Sequence, residues 1–203
     1  MTMDLAGAVA ARRSIRSFED RPVPHDVVER AISLAVQAPA PHHSAPWRFL
    51  LVEEPADKER LSQRMGAAWR ADLATDGMPA ERIERIVSKS HRLLTSTPLL
   101  VVCCADTSRA DDYPDERRRR AEWSLFAHAV GGALQTFMLA LAEDGVASCW
   151  ISAPVFCGDV VKDHFGLDAA VEPHALVLVG YADSSYVPRP RSVPDAARFV
   201  LHP

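Results

Sequence analysis

Residues 121–142 (AEWSLFAHAVGGALQTFMLALA) constrain the fold more than any other stretch, because the helix they would form is apolar on nearly every side. The stretch is long enough to cross a bilayer, yet Glu122, His128 and Gln135 interrupt it and Arg117 to Arg120 precede it, so no membrane span is expected. A helix apolar all round must instead be buried, either in a large core or against a second copy of the chain. At 203 residues the chain corresponds to a single domain over 1–203, long enough to bury about 70% of its unfolded surface.

The remaining sequence supplies layers to cover that helix. Asp4 to Arg13 reads as a short first helix. Pro24 opens a second, in which Val28, Ala31, Ile32 and Ala35 make a core-facing stripe that ends near Ala38, before Pro39 and Pro41. Four strands are expected, over 47–52, 99–104, 146–151 and 175–180; the continuous apolar character of LLVVCC implies burial on both faces. Between the first two lies a helical region. Its second half, Glu81 to Leu94, carries an apolar stripe, and its first half, with Trp69, Arg70 and Asp72, reads as a less regular lid. Asp159 to Phe165 is a short helix closed by Gly166, and Pro188, Pro190 and Pro194 make the last residues an extended tail. Strands alternating with helices indicate a layered α+β or α/β domain without repeats.

Charge and cysteines narrow the partners. A net charge of −4 argues against a nucleic-acid grip, which needs clustered cations on phosphates, and favours a small-molecule partner. None of Cys103, Cys104, Cys149 and Cys157 forms a two-residue-gap pair, and the first residues lack a basic stretch followed by an apolar core. The expectation is a cytoplasmic protein with reduced thiols.

Four segments could carry chemistry. In Arg12-Arg13-Ser14-Ile15-Arg16, an extended backbone would put Arg12, Ser14 and Arg16 on one face, a good cradle for a phosphate; the alternative is a solvated basic turn. The loop Ala38 to Trp47 (APAPHHSAPW) is stiffened by three prolines, as suits backbone groups that must meet a ligand at fixed positions. His42 and His43 lack a partner pair at ligand spacing, so no metal is expected. Ser148 to Pro154 (SCWISAP) runs from a strand into small residues that would let backbone amides approach a flat ring, or make an ordinary turn. Gly180-Tyr181 is followed by Arg189 and Arg191, of which Arg189 could close the phosphate site. The mixed run from Asp111 to Arg120 reads as a solvated helix start, with Glu116 four residues before Arg120.

Together, in this order and spacing, the segments resemble the FMN-binding nitroreductase family over Leu5 to about Arg191. The resemblance implies a three-layer α/β/α fold with a central mixed sheet, and a homodimer in which the long helix is buried at the interface. It implies FMN, with the phosphate and ribityl chain on Arg12, Arg13, Ser14, Ile15 and Arg16. The backbone of Ala40, Pro41 and His42 would come from one subunit, Ile151, Ser152 and Ala153 would face the isoalloxazine, and Arg189 would be a further phosphate partner. The loop here lacks the Asn and Gln of the Ser-Ser-x-Asn-x-Gln-Pro-Trp form carried by many members.

The APAPHH loop, the WRADLATDGMP segment and the SCWIS loop are most similar to the C-terminal domain of the two-domain gamma-glutamyl ligases of coenzyme F420 biosynthesis, although 203 residues leave no room for a ligase domain. This similarity implies reduction of the C=C bond of dehydro-F420 by hydride from reduced FMN, with NAD(P)H as electron donor, substrate contacts from Trp69, Arg70 and Asp72, and a separate gamma-glutamyl ligase as partner. The alternatives are a general NAD(P)H-dependent nitroreductase or ene-reductase, and a non-catalytic flavin- or deazaflavin-binding module. No catalytic side chain is assigned, because the cofactor carries the hydride step.

Overall fold

The long apolar segment forms one uninterrupted helix at the centre of a computed structural model that describes residues 3–201; residues 1–2 and 202–203 of the expected domain lie outside the described residues. The elements in chain order are α1 (Leu5–Ala11), α2 (His25–Ala35), β1 (Trp47–Val52), α3 (Pro55–Thr75), α4 (Ala80–Thr95), β2 (Leu99–Asp106), α5 (Glu116–Glu143), β3 (Ala147–Ile151), α6 (Gly158–Phe165) and β4 (Val171–Gly180). At 28 residues α5 is about 42 Å long. Asp115 starts it by accepting the Arg118 backbone N–H at 3.0 Å, and the chain turns out of it through Gly145 at φ 72°.

Phe126, Leu134, Phe137 and Leu141 of α5 are fully buried. Burial is not all-round: Leu125 is 43% exposed, and His128, Gly132 and Gln135 continue the same outward stripe, whereas Trp123, 48% exposed, lies on the opposite side of the helix and stacks on His174. Among the described residues α5 is the one helix long and apolar enough to cross a membrane, and its inner face is the core of this domain.

The sheet has the order β1-β2-β4-β3, and every neighbouring pair is antiparallel. The expected mixed sheet is thus corrected to an antiparallel one. β2 and β3, joined by the α5 crossover, do run the same way, but β4 inserts between them and pairs with both. The α3–α4 hairpin likewise returns the chain to the end of β1 at which it left, so Val52 pairs with Leu100. One parallel contact remains outside the named strands, a single bridge between Ser14 and Ser148.

Alternation along β2 and β4 divides the core. Leu99, Val101, Cys103, Val177 and Val179 face α2 and α5, while Leu100, Val102, Cys104, Leu176 and Leu178 face α3, α4 and α6, giving the three layers. Burial pushes the Cys103 thiol well up and the Cys104 thiol up to about 12, so both act as small hydrophobes.

β1 keeps the bounds expected for it. β4 begins at Val171 rather than 175, because the register shift between Cys103 and Cys104 opposite Pro173 accommodates a residue that cannot donate to a ladder. The irregular lid expected around Trp69, Arg70 and Asp72 is instead the last part of α3, a continuous 21-residue helix that starts on Pro55. Leu61 and Met65 bury it against α4, and Gly66 allows close approach, since a Cβ there would lie 3.0 Å from Val87. Lys58, buried in α3, donates to the carbonyls of Thr97 (2.9 Å) and Pro98 (3.0 Å), tying the helix to the start of β2.

Candidate active site

The RRSIR segment leaves α1 and lies along β3. The Ile15 N–H donates to the Ser148 carbonyl at 3.1 Å, and Ile15 is buried, while Ser14 and Arg16 point outward as the alternation requires. Arg12, Arg13 and Arg16 form no ion pair among the described residues; Arg16 Nη1 reaches only the Ser14 carbonyl, at 3.5 Å. Arg13 Nη1 is buried and has no hydrogen-bond partner. A buried guanidinium nitrogen left without an acceptor is costly, so the segment is short of an anion. Burial pushes the Cys149 thiol up while Arg16 and Arg12 pull it down, so these two positive charges act on β3 itself.

The end of β3 opens onto a cavity of about 500 Å³ between α3 and α4. Ile151 and Ala153 line it together with Met65, Trp69, Asp72 and Leu94, so the structure unites two segments far apart in the chain. Ser152 is exposed beside them. Cys157 also lines the cavity, its thiol pushed up by burial and by the Asp72 carboxylate. Arg70 is not in this wall. It is held by Glu84 of α4, at 2.8 Å and 3.1 Å, and lines a smaller cavity of about 200 Å³. No Lys or Arg lines the larger cavity.

The proline-rich loop is constrained as its composition suggests, but by more than prolines. His42, His43 and Ala45 adopt φ of 53°, 50° and 47°, a left-handed conformation that costs energy in non-glycine residues. Contacts hold it there: Ser44 Oγ donates to the Pro41 carbonyl at 2.7 Å, Arg109 donates to the His43 carbonyl at 3.1 Å, and Trp47 Nε1 donates to the Ala129 carbonyl of α5 at 3.0 Å. Pro41 and Ala40 are half-buried beside it, so this loop sits on α5, apart from the larger cavity. Arg189 lies on the exposed tail, without an ion-pair or hydrogen-bond partner among the described residues.

Sequence reasoning missed two residues. The His42 Nε2 atom is 3.0 Å from Glu122 Oε1, and Glu122 Oε1 also accepts the Asp111 backbone N–H at 3.0 Å. Glu122 is 5% exposed. The signal the sequence offers for Glu122 is a lone carboxylate inside an otherwise apolar stretch; Asp111, in a run of mixed charge, carries no such signal.

The Nitroreductase family model matches residues 9–181. The chain is 26% identical over 181 residues to the putative NAD(P)H nitroreductase YfhC of Bacillus subtilis, covering 89% of this chain and 86% of that one. It is 29% identical over 202 residues to iodotyrosine deiodinase of Drosophila melanogaster, covering 92% of this chain but only 63% of that protein's length. Among solved structures, a nitroreductase with bound FMN from Bacteroides fragilis superposes with a TM-score of 0.73 at 18% identity, over 98% of this chain and 99% of that one. The matched span runs from α1 to the end of β4 and takes in the guanidinium cluster, the strained loop and the mouth of the cavity: the chain belongs to the nitroreductase family.

Proposed function

We propose that the chain is an FMN-dependent reductase that acts as a homodimer in the cytoplasm. The observation that carries the reading is the set of unpaired guanidiniums on the RRSIR segment, with the orphaned Nη1 of Arg13, packed along the strand whose end opens on the cavity. Arg12, Arg13 and Arg16 with the Ser14 hydroxyl would take the phosphate and ribityl chain, and Ile15 would fix their register on β3. Ile151, Ser152 and Ala153 would pack against the isoalloxazine, because the small side chains of Ser152 and Ala153 leave the backbone accessible. When bound, the flavin supplies the hydride. The protein excludes water with Met65, Leu94 and Trp69 and positions the acceptor, which is where its share of the rate comes from.

The outward stripe of α5 that carries Leu125, and the apolar tail residues Val187, Val193 and Leu201, are surfaces that a second copy would cover. In such a dimer the partner's loop backbone at Ala40, Pro41 and His42 would complete the flavin site, and Arg189 would add a phosphate contact. The substrate we put forward is dehydro-F420, reduced at its C=C bond, with NAD(P)H as donor, Asp72 and Trp69 meeting the ring, Arg70 at the rim, and a separate gamma-glutamyl ligase using the product.

A second reading, a general NAD(P)H-dependent nitroreductase or ene-reductase, is favoured by one observation: the cavity wall carries no cation to pair with a polyanionic tail. Incubation of the FMN-loaded protein with dehydro-F420 and NADPH separates the two. A product heavier by two hydrogens supports the first reading. An unchanged substrate mass beside rapid turnover of nitroaromatics replaces it with the second. Tight flavin binding without turnover of any acceptor would instead make the chain a binding module.

A further inference from the structure

We propose that His42, Asp111 and Glu122 form a binding site for one divalent transition-metal ion of the zinc class, where the strained loop and the β2–α5 connection meet the first turns of α5. The three donor atoms all lie within 4.8 Å of one another. His42 Nε2 is 3.0 Å from Glu122 Oε1 and 3.9 Å from Asp111 Oδ2. Zinc bonds of about 2.0–2.2 Å, at angles between a right angle and tetrahedral, set neighbouring donors about 2.8–3.6 Å apart. The first pair is already at that spacing, and Asp111, whose side chain is 60% exposed on a loop, closes the site by moving a few tenths of an ångström toward His42 and up to about 1 Å toward Glu122.

The charge balance points the same way. Glu122 is 5% exposed and has no Lys or Arg within ion-pair distance among the described residues; its hydrogen-bond partners there are the His42 imidazole and the Asp111 backbone N–H, and a second carboxylate, that of Asp111, lies within 4.8 Å. Buried charges are paired or coordinate metals, and a dication would balance both carboxylates. One imidazole with two carboxylates is a donor set that suits zinc, manganese or iron. The His42 side chain is 39% exposed, which leaves coordination positions open to water. The site uses the His42 side chain, which the flavin reading leaves free, so the two proposals stand or fall separately.

The test uses the full chain, stripped with EDTA, exchanged into chelator-free buffer and titrated with Co²⁺. The expected result is one equivalent bound, with weak visible bands and no thiolate charge-transfer band, displaced by Zn²⁺. Asp111→Asn and Glu122→Gln should each abolish that equivalent while unfolding cooperatively in EDTA; Asp111→Asn changes an exposed side chain and keeps the test valid if the buried Glu122→Gln variant does not fold. Absence of stoichiometric Co²⁺ binding, undiminished binding in Asp111→Asn, or a thiolate band that assigns the ion to cysteine would each overturn the proposal.

Discussion

At the scale of single residues the clearest lever is Arg13. Its Nη1 is buried without an acceptor, so Arg13→Ala removes a charge-assisted contact worth ~1.5–3 kcal/mol to a bound phosphate and should weaken FMN binding about ten- to a hundred-fold, measured by fluorescence titration. Unchanged affinity would remove Arg13 from the site. A second lever is His174, which is buried and stacked on Trp123 at 5.3 Å, so that burial holds its pKa below the usual imidazole range although Glu172 pulls the other way. The folded state then binds fewer protons than the unfolded state just below the ordinary imidazole pKa of about 6.5, and stability falls as pH drops through that window. Thermal melts from pH 7.5 to 5.5 should show the loss, and His174→Phe should flatten it; His164, lowered by burial and by Arg64, leaves a residual slope. The spacing of Arg12, Ser14 and Arg16 could be read directly, because alternation along an extended segment is local. The meeting of His42 with Glu122 could not, because 80 residues separate them and only the packing of α5 on the loop joins them.

Elements were legible where a local cause fixes them. β1, α4 and α6 follow from apolar periodicity and from stops such as Gly166, which closes α6 at φ 61°. The antiparallel sheet was not legible, since β4's insertion between β2 and β3 is a choice among pairings that each strand's own sequence leaves equal. Nor was the regular end of α3, which has no buried residue of its own and continues a helix that Leu61 and Met65 pack against α4. The element that concentrates the core is α5, and Phe137 is its fully buried centre, 5.8 Å from the Phe49 ring. Phe137→Ala should cost about 3–5 kcal/mol in denaturant unfolding. Gly166→Ala, forced into a left-handed turn with open space around it, should cost about 1 kcal/mol. A loss for Phe137→Ala no larger than that for Gly166→Ala would mean the α2–α5 layer is not the main core.

For the whole molecule, the unburied stripe of α5 is the feature with the largest consequence. If a second copy covers it, sedimentation should report a dimer, and Leu125→Glu should give monomers that hold FMN less well, because the flavin site is then missing its second half. A wild-type monomer would overturn this. The position of β4 has a consequence of another kind. The last of the four described strands in chain order is a central strand of the sheet, flanked by β2 and β3. Until Val171–Gly180 has been synthesised, one edge of β2 has no neighbour, β3 pairs with no other strand, and the apolar faces of α3 and α5 lack part of their floor. Completion of the sheet therefore waits for Val171–Gly180, and before that strand is in place the open edge of β2 is a template on which another chain could pair.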